Sequence, residues 1–168
     1  MATIMDNPFA DIYKMCNTGS NKEKYKLIKD GIVSLPRYLD IELTNICNFQ
    51  CRFCPTGTKS TNRMKGYMPD SVVDAIAENV RKYHIPGVRF IMWGEPTLHP
   101  KYIDIMKIIK NAGAKIHINT NGSLLDDVQV RELLKIPVDS IKFSFQGADD
   151  KTYNEMRKGG DYQSLIKK

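Results

Sequence analysis

Three cysteines stand within eight residues, Cys47, Cys51 and Cys54, in the spacing C-x3-C-x2-C. A fourth, Cys16, is isolated near the N-terminus and reads as a free, partly buried thiol rather than a ligand. Clustered thiols in a reducing compartment point to metal, because disulfides would not persist there and pairing would leave one thiol over. A structural zinc site needs a further pair of ligands. None follows: His84, His99 and His117 are scattered, and the spacing is not that of a four-cysteine ferredoxin. Three thiolates suit a 4Fe–4S cluster in which one iron has no protein ligand. An open coordination position marks a site built for chemistry rather than for structure. Structural zinc is the competing reading.

The elements that must position these thiols alternate. Strand-like runs lie at Tyr38–Thr44, Val88–Met92, Lys115–Asn119 and Ser140–Ser144. Helical patterns follow near Asp70–Lys82, Tyr102–Ala112, Asp127–Leu134 and Asp150–Lys158. In the first helix Val72, Val73, Ile76 and Val80 fall on one face at amphipathic spacing. Gly113 sits where a helix C-cap glycine belongs. Such alternation predicts parallel βαβ units, an α/β fold. Leu39, Ile41 and Leu43 alternate with Asp40, Glu42 and Thr44; Ile116 and Ile118 alternate with His117 and Asn119; Ile141 and Phe143 alternate with Lys142 and Ser144. With helices on the apolar face, the opposite face is polar in three strands. That suits a curved sheet whose concave side lines a wet cavity, not a sheet buried on both sides. The first and second strands start about 50 residues apart, against about 25 for the later ones, and the excess, Asn45–Pro69, holds the cysteines. Long loops in compact domains are usually functional.

The motif after the first strand, with Phe53 before the last cysteine, resembles the radical S-adenosylmethionine (radical SAM) superfamily. The resemblance implies that Cys47, Cys51 and Cys54 ligate the cluster, that Phe53 contacts adenine, and that S-adenosyl-L-methionine chelates the open iron. An electron delivered to the cluster by a low-potential flavodoxin- or ferredoxin-type donor would then cleave the sulfonium to methionine and a 5′-deoxyadenosyl radical. Trp93-Gly94-Glu95-Pro96, after the second strand, resembles the family's Gly-Gly-Glu-Pro segment, with Trp93 at the first glycine. It implies that Gly94 and Glu95 hold the methionine amine, which an acceptor carboxylate beside a close-approaching backbone can do. Asn119-Thr120-Asn121-Gly122 follows the third strand. Ser144-Phe145-Gln146-Gly147 follows the fourth and resembles Ser-x-Asp-Gly, with Gln146 replacing the acid. By the same resemblance Asn119 lies with the cofactor-binding residues, Ser144 contacts its ribose or carboxylate, and Arg157 neutralises the carboxylate. All four segments lie at C-terminal ends of strands, the face where parallel α/β barrels place their sites. Cys-Pro-Thr-Gly after the cluster is similar to the branch that often carries a C-terminal auxiliary-cluster (SPASM-type) domain and acts on peptides, sugars or other metabolites.

A family barrel has six strand–helix units and this chain shows four. The expectation is therefore a partial parallel barrel over 36–168, incomplete at its C-terminal end, preceded by a helical extension over 1–35. The fourth strand would be an exposed edge, open to pairing with another chain. The alternative function is a non-catalytic iron–sulfur or zinc module that associates with another subunit. Composition fits a single globular domain: 168 residues, 42% hydrophobic, 26% charged. No run approaches a membrane span, and the N-terminus lacks the apolar core of a signal peptide, so a cytoplasmic address is expected. The net charge of +6 is concentrated in Lys22, Lys24, Lys26 and Lys29 and in Lys167 and Lys168, which read as solvated surface. No aromatic pattern accompanies these lysines, so nucleic acid is not an expected partner.

Overall fold

The structure, a computed structural model, describes residues 36–168. Four parallel strands form one sheet in sequence order: β1 (Leu39–Ile41), β3 (Gly87–Phe90), β4 (Lys115–Thr120) and β5 (Ser140–Phe143). Between them run α1 (Asp70–Tyr83), α2 (Tyr102–Asn111) and α3 (Asp127–Lys135); α4 (Asp150–Met156) and α5 (Tyr162–Ile166) follow β5. A second ribbon pairs β2 (Gln50–Cys51) with β6 (Arg157–Lys158) in antiparallel fashion.

Alternation dictates which face each strand buries. Ile41, Val88, Phe90, Ile116 and Ile118 point to the helices and meet Val73, Ala77, Val80, Ile105, Met106 and Ile109 in one core. Each such fully buried side chain stabilises the fold by about 1.5–3 kcal/mol relative to its exposed state. The other face carries a row that crosses all four strands in register: Asp40 opposite Arg89, Arg89 opposite His117, and His117 opposite Ser140. Arg89 grips Asp40 with two hydrogen bonds, at 2.5 and 2.6 Å, and lies over the Tyr38 ring. His117 bonds Ser140 Oγ through Nδ1 and Asn119 Oδ1 through Nε2. Burial pushes the His117 pKa down, so this row holds the neutral imidazole. The expected polar face is therefore present, and β3 joins it through Arg89.

Asp126, Asp149 and Asp161 cap the N-termini of α3, α4 and α5, accepting from Gln129, Thr152 and Ser164 N–H. Gly113, at φ +104°, follows α2 as the spacing requires.

Three expectations need correction. Val72 is exposed, and Ala77 takes its place beside Val73 and Val80 on the buried stripe of α1. The fourth helix stops at Met156, because Arg157 and Lys158 leave it to pair with the cysteine loop. The apolar side of β5 is not covered: Ile141 and Phe143 are exposed, since among the described residues no helix packs over the outer margin of this edge strand. The proposed extension over 1–35, its lysines and Cys16 lie outside the described residues.

Candidate active site

The long β1–α1 connection is bound down at several points. Ile46 C=O accepts from Glu95 N–H after β3. The side chain of Asn48 bonds Ser123 Oγ and accepts from Asn121 Nδ2 after β4. Cys51 pairs its backbone with Arg157, and Arg52 N–H donates to Met156 C=O. Each turn of the cysteine loop is thus fixed to a different strand–helix junction. Gly57 is required here, because a Cβ would stand 2.4 Å from the Cys51 carbonyl oxygen.

One cavity of about 200 Å³ collects the residues singled out by sequence. Its wall includes Cys47, Cys51, Cys54, Phe53, Gly94, Glu95, Asn119, Ser144 and Arg157, together with Met92, Trp93, Thr120, Asn121 and Gln146. The three thiols are free, and no three His, Cys, Asp or Glu side chains among the described residues converge as ligands of a single ion. Burial pushes the Cys47 thiol pKa up, with Glu95, Cys51 and Cys54 adding to the rise and the Phe49 N–H opposing it. Burial also raises Cys51, against the lowering influence of Arg157. In the ligand-free fold these two thiols hold their protons, which a metal must displace.

Glu95 is buried and accepts four hydrogen bonds. Its Oε1 accepts from Thr97 N–H (3.3 Å), Thr97 Oγ1 (2.7 Å) and Thr120 Oγ1 (2.6 Å), and its Oε2 from Asn121 N–H (2.7 Å). It therefore ties the end of β3 to the end of β4. Sequence reasoning did not pick out Thr97, Thr120 or Asn121 for this work. The signal was the Asn-Thr-Asn-Gly run, whose hydroxyl and backbone amide face the carboxylate. Gly94 passes so close to β1's continuation that a Cβ would lie 1.7 Å from Thr44 O. Trp93, where the family motif has glycine, turns its ring outward beneath Arg63, while the preceding Met92 adopts φ +128°, a strained value for a residue with a Cβ.

Arg157 is buried, and its Nε donates to the Gln146 side-chain carbonyl. Its guanidinium lies 5.9 Å from the Phe49 ring centre and 5.8 Å from that of Phe53. Gln146 supplies an acceptor without a negative charge, so no carboxylate among the described residues forms an ion pair with this cation. Phe53 stands half-exposed at the rim.

Comparison with known proteins agrees with this geometry. The radical SAM superfamily model matches residues 41–168. Among curated proteins, a tungsten-containing aldehyde ferredoxin oxidoreductase cofactor-modifying protein of Pyrococcus furiosus is 32% identical over 111 residues, covering 64% of this chain and 30% of that protein. A probable GTP 3′,8-cyclase of Methanocaldococcus jannaschii is 29% identical over 140 residues, covering 83% of this chain and 46% of that one. The chain thus spans less than half the length of these relatives. Among solved structures, Streptococcus suis SuiB bound to S-adenosylmethionine superposes with a TM-score of 0.69 at 25% identity, over 99% of this chain and 37% of SuiB. BtrN in complex with AdoMet and 2-DOIA shares the fold, with a TM-score of 0.62 at 20% identity over 80% of this chain and 55% of BtrN. With its parallel sheet, its cysteine loop and a family match over most of its length, this chain belongs to the radical SAM superfamily.

Proposed function

We propose that the chain carries the radical-generating site of a radical SAM enzyme, with a 4Fe–4S cluster on Cys47, Cys51 and Cys54 and S-adenosyl-L-methionine in the adjoining cavity. The observation that carries this reading is Arg157: a buried guanidinium beside the thiols, bonded to a neutral amide, awaiting an anion. A cluster held by Cys47, Cys51 and Cys54 would supply the electron for reductive cleavage of the S-adenosylmethionine sulfonium, the family's route to hydrogen abstraction from a substrate.

The protein's own residues bind and orient. Arg157 would pair with the methionine carboxylate through charge-assisted hydrogen bonds. Glu95 keeps acceptor capacity on Oε2, which takes only one protein hydrogen bond, and can receive the methionine amine while holding β3 to β4. Gly94 lets the backbone of that loop approach. Ser144 and Asn119 offer hydrogen bonds along the sheet side of the cavity, and Phe53 offers a flat apolar face for adenine. A low-potential flavodoxin- or ferredoxin-type donor supplies the electron. The Cys-Pro-Thr-Gly resemblance suggests a peptide, sugar or other metabolite as substrate class.

Anaerobic reconstitution, then assay of 5′-deoxyadenosine with S-adenosylmethionine and a strong reductant, tests the reading. The margin of β5 is uncovered among the described residues, and a carbon radical needs shielding from solvent. Slow release without coupling to substrate is therefore expected from residues 1–168. A loaded, reducible cluster that never cleaves S-adenosylmethionine would overturn the enzymatic reading in favour of a non-catalytic iron–sulfur module.

A further inference from the structure

His117 stands one step below the cofactor cavity on β4 and touches a residue of its wall. Asn119, two positions on and on the same face of the strand, lines the cavity, and its Oδ1 lies 2.7 Å from His117 Nε2. On the other side of the ring, Nδ1 lies 2.9 Å from the Ser140 hydroxyl. Burial favours the neutral imidazole. The positive charges of Arg89 and Lys142, on the flanking strands, act the same way, against the Asn119 hydrogen bond and Asp40.

A neutral ring carries one proton, so one nitrogen donates and the other accepts. Oδ1 of Asn119 can only accept. The proton therefore sits on Nε2, and Nδ1 accepts from the Ser140 O–H. With its carbonyl held by the ring, Asn119 is left with Nδ2 for the cavity. That NH2 has no hydrogen-bond partner among the described residues. Moving the proton to Nδ1 would reverse the arrangement. Nδ1–H would donate to Ser140 Oγ, Nε2 would accept from the Asn119 NH2, and a carbonyl would be offered to the cavity. The place of one proton on His117 thus decides whether this stretch of wall donates or accepts. Apart from its amine, S-adenosylmethionine offers chiefly acceptors: carboxylate and ribose oxygens and adenine ring nitrogens. A donor is the form that serves it.

We propose that His117 is a positioning residue, whose Nε2–H, supported by Ser140, holds Asn119 so that its NH2 donates to an oxygen or ring-nitrogen acceptor of bound S-adenosylmethionine. This rests on the cofactor assignment above. His117 itself does not line the cofactor cavity; it acts through the amide. No proton moves and no bond is made or broken.

The test uses the cluster-loaded full chain and reads S-adenosylmethionine affinity by equilibrium dialysis, beside iron content. Asn119→Ala and His117→Phe should each weaken binding by about threefold to tenfold, the worth of one neutral hydrogen bond, with iron content unchanged. The double variant should bind no more weakly than Asn119→Ala alone, because the two residues act as one unit. His117→Gln, whose terminal NH2 can replace the Nε2–H donor, should recover most of the affinity lost in His117→Phe. Losses that multiply in the double variant, parent-like affinity in either single variant, or a His117→Gln no better than His117→Phe would overturn the positioning role. A second measurement needs neither a variant nor the cofactor. Nitrogen NMR of the histidine rings in the full chain, above neutral pH, should show the His117 proton on Nε2 and none on Nδ1; the opposite tautomer would overturn the proposal. A parent chain that loads its cluster yet binds no S-adenosylmethionine would instead strike the radical-site reading, while the tautomer would still decide how Asn119 is held.

Discussion

Replacing Glu95 by alanine removes an acceptor that four donors share inside the protein. The backbone N–H of Asn121 and the hydroxyl of Thr120 are both buried, and each meets the carboxylate within 2.7 Å. Thr97 adds its hydroxyl at 2.7 Å and a weaker N–H at 3.3 Å. A buried donor left without a partner costs about 1–3 kcal/mol. Counting only Asn121 N–H and the fully buried Thr120 Oγ1, the loss is together about 2–6 kcal/mol. That is a large share of the roughly 5–15 kcal/mol that holds a typical domain together. Glu95→Gln separates shape from charge. Its carbonyl can occupy the Oε1 position and keep three donors, while its amide must face Asn121 N–H, donor against donor; a loss of about 2 kcal/mol follows. Urea unfolding of the cluster-free chain, with the midpoint read at unchanged slope, measures both. Midpoints for Glu95→Ala within about 1 kcal/mol of the parent, or equal losses for Ala and Gln, would refute the view that this carboxylate ties β3 to β4.

Other consequences can be checked alongside. Gly94→Ala should prevent the β3 loop from seating against β1, since the new Cβ would lie 1.7 Å from Thr44 O; loss of cooperative unfolding or of cluster uptake reads this out, and a parent-like variant contradicts it. The Tyr102 hydroxyl is buried without a hydrogen-bond partner, and burial, with Asp126 and Glu95 nearby, pushes its pKa up to about 12. Because the fold keeps the phenol protonated, its contribution is complete below the ordinary value of 10 and is lost as pH rises from 10 to about 12. Tyr102→Phe should therefore be neutral or slightly stabilising at pH 7 and should flatten the alkaline limb of a stability–pH curve. Arg157→Met should weaken S-adenosylmethionine binding by about tenfold to a hundredfold, the value of one charge-assisted contact, while leaving iron uptake intact; equilibrium dialysis and iron analysis separate the two.

Much of the architecture was visible in residue order. The apolar–polar alternation of Leu39–Thr44 and of Lys115–Asn119 identified both the strands and their polar face, and the row from Asp40 to Ser140 bears that reading out. Val88, Arg89 and Phe90 carried the same alternation, although its meaning for Arg89 emerges only once Asp40 and His117 flank it. What could not be read was long-range. Arg157 and Lys158 are good helix formers, and only the distant partners Cys51 and Gln50 turn them into a strand. Cys51 and Arg157 were each identified by motif, yet nothing local announces that their backbones are paired. The burial of Val72 failed for a related reason, since periodicity fixes a stripe only to within one residue on either side. The engagement of Glu95 Oε1 by two threonine hydroxyls belongs to the meeting of separate loops, not to any one of them. Hydrophobic order at β5 suggested a covered face, but covering needs a neighbour, and among the described residues none packs there.

The central claim is that Cys47, Cys51 and Cys54 would hold a four-iron cluster in the cavity they share with Arg157 and Glu95. The most direct measurement is electron paramagnetic resonance of the anaerobically reconstituted, reduced chain, recorded with and without S-adenosylmethionine and paired with iron analysis. The account predicts about four irons per chain and a spectrum that shifts when the cofactor's amine and carboxylate enter the coordination shell. Loss of the spectrum in Cys47→Ala, Cys51→Ala and Cys54→Ala should accompany it. A tightly held zinc ion with no iron uptake, or a cluster signal indifferent to S-adenosylmethionine, would contradict the account.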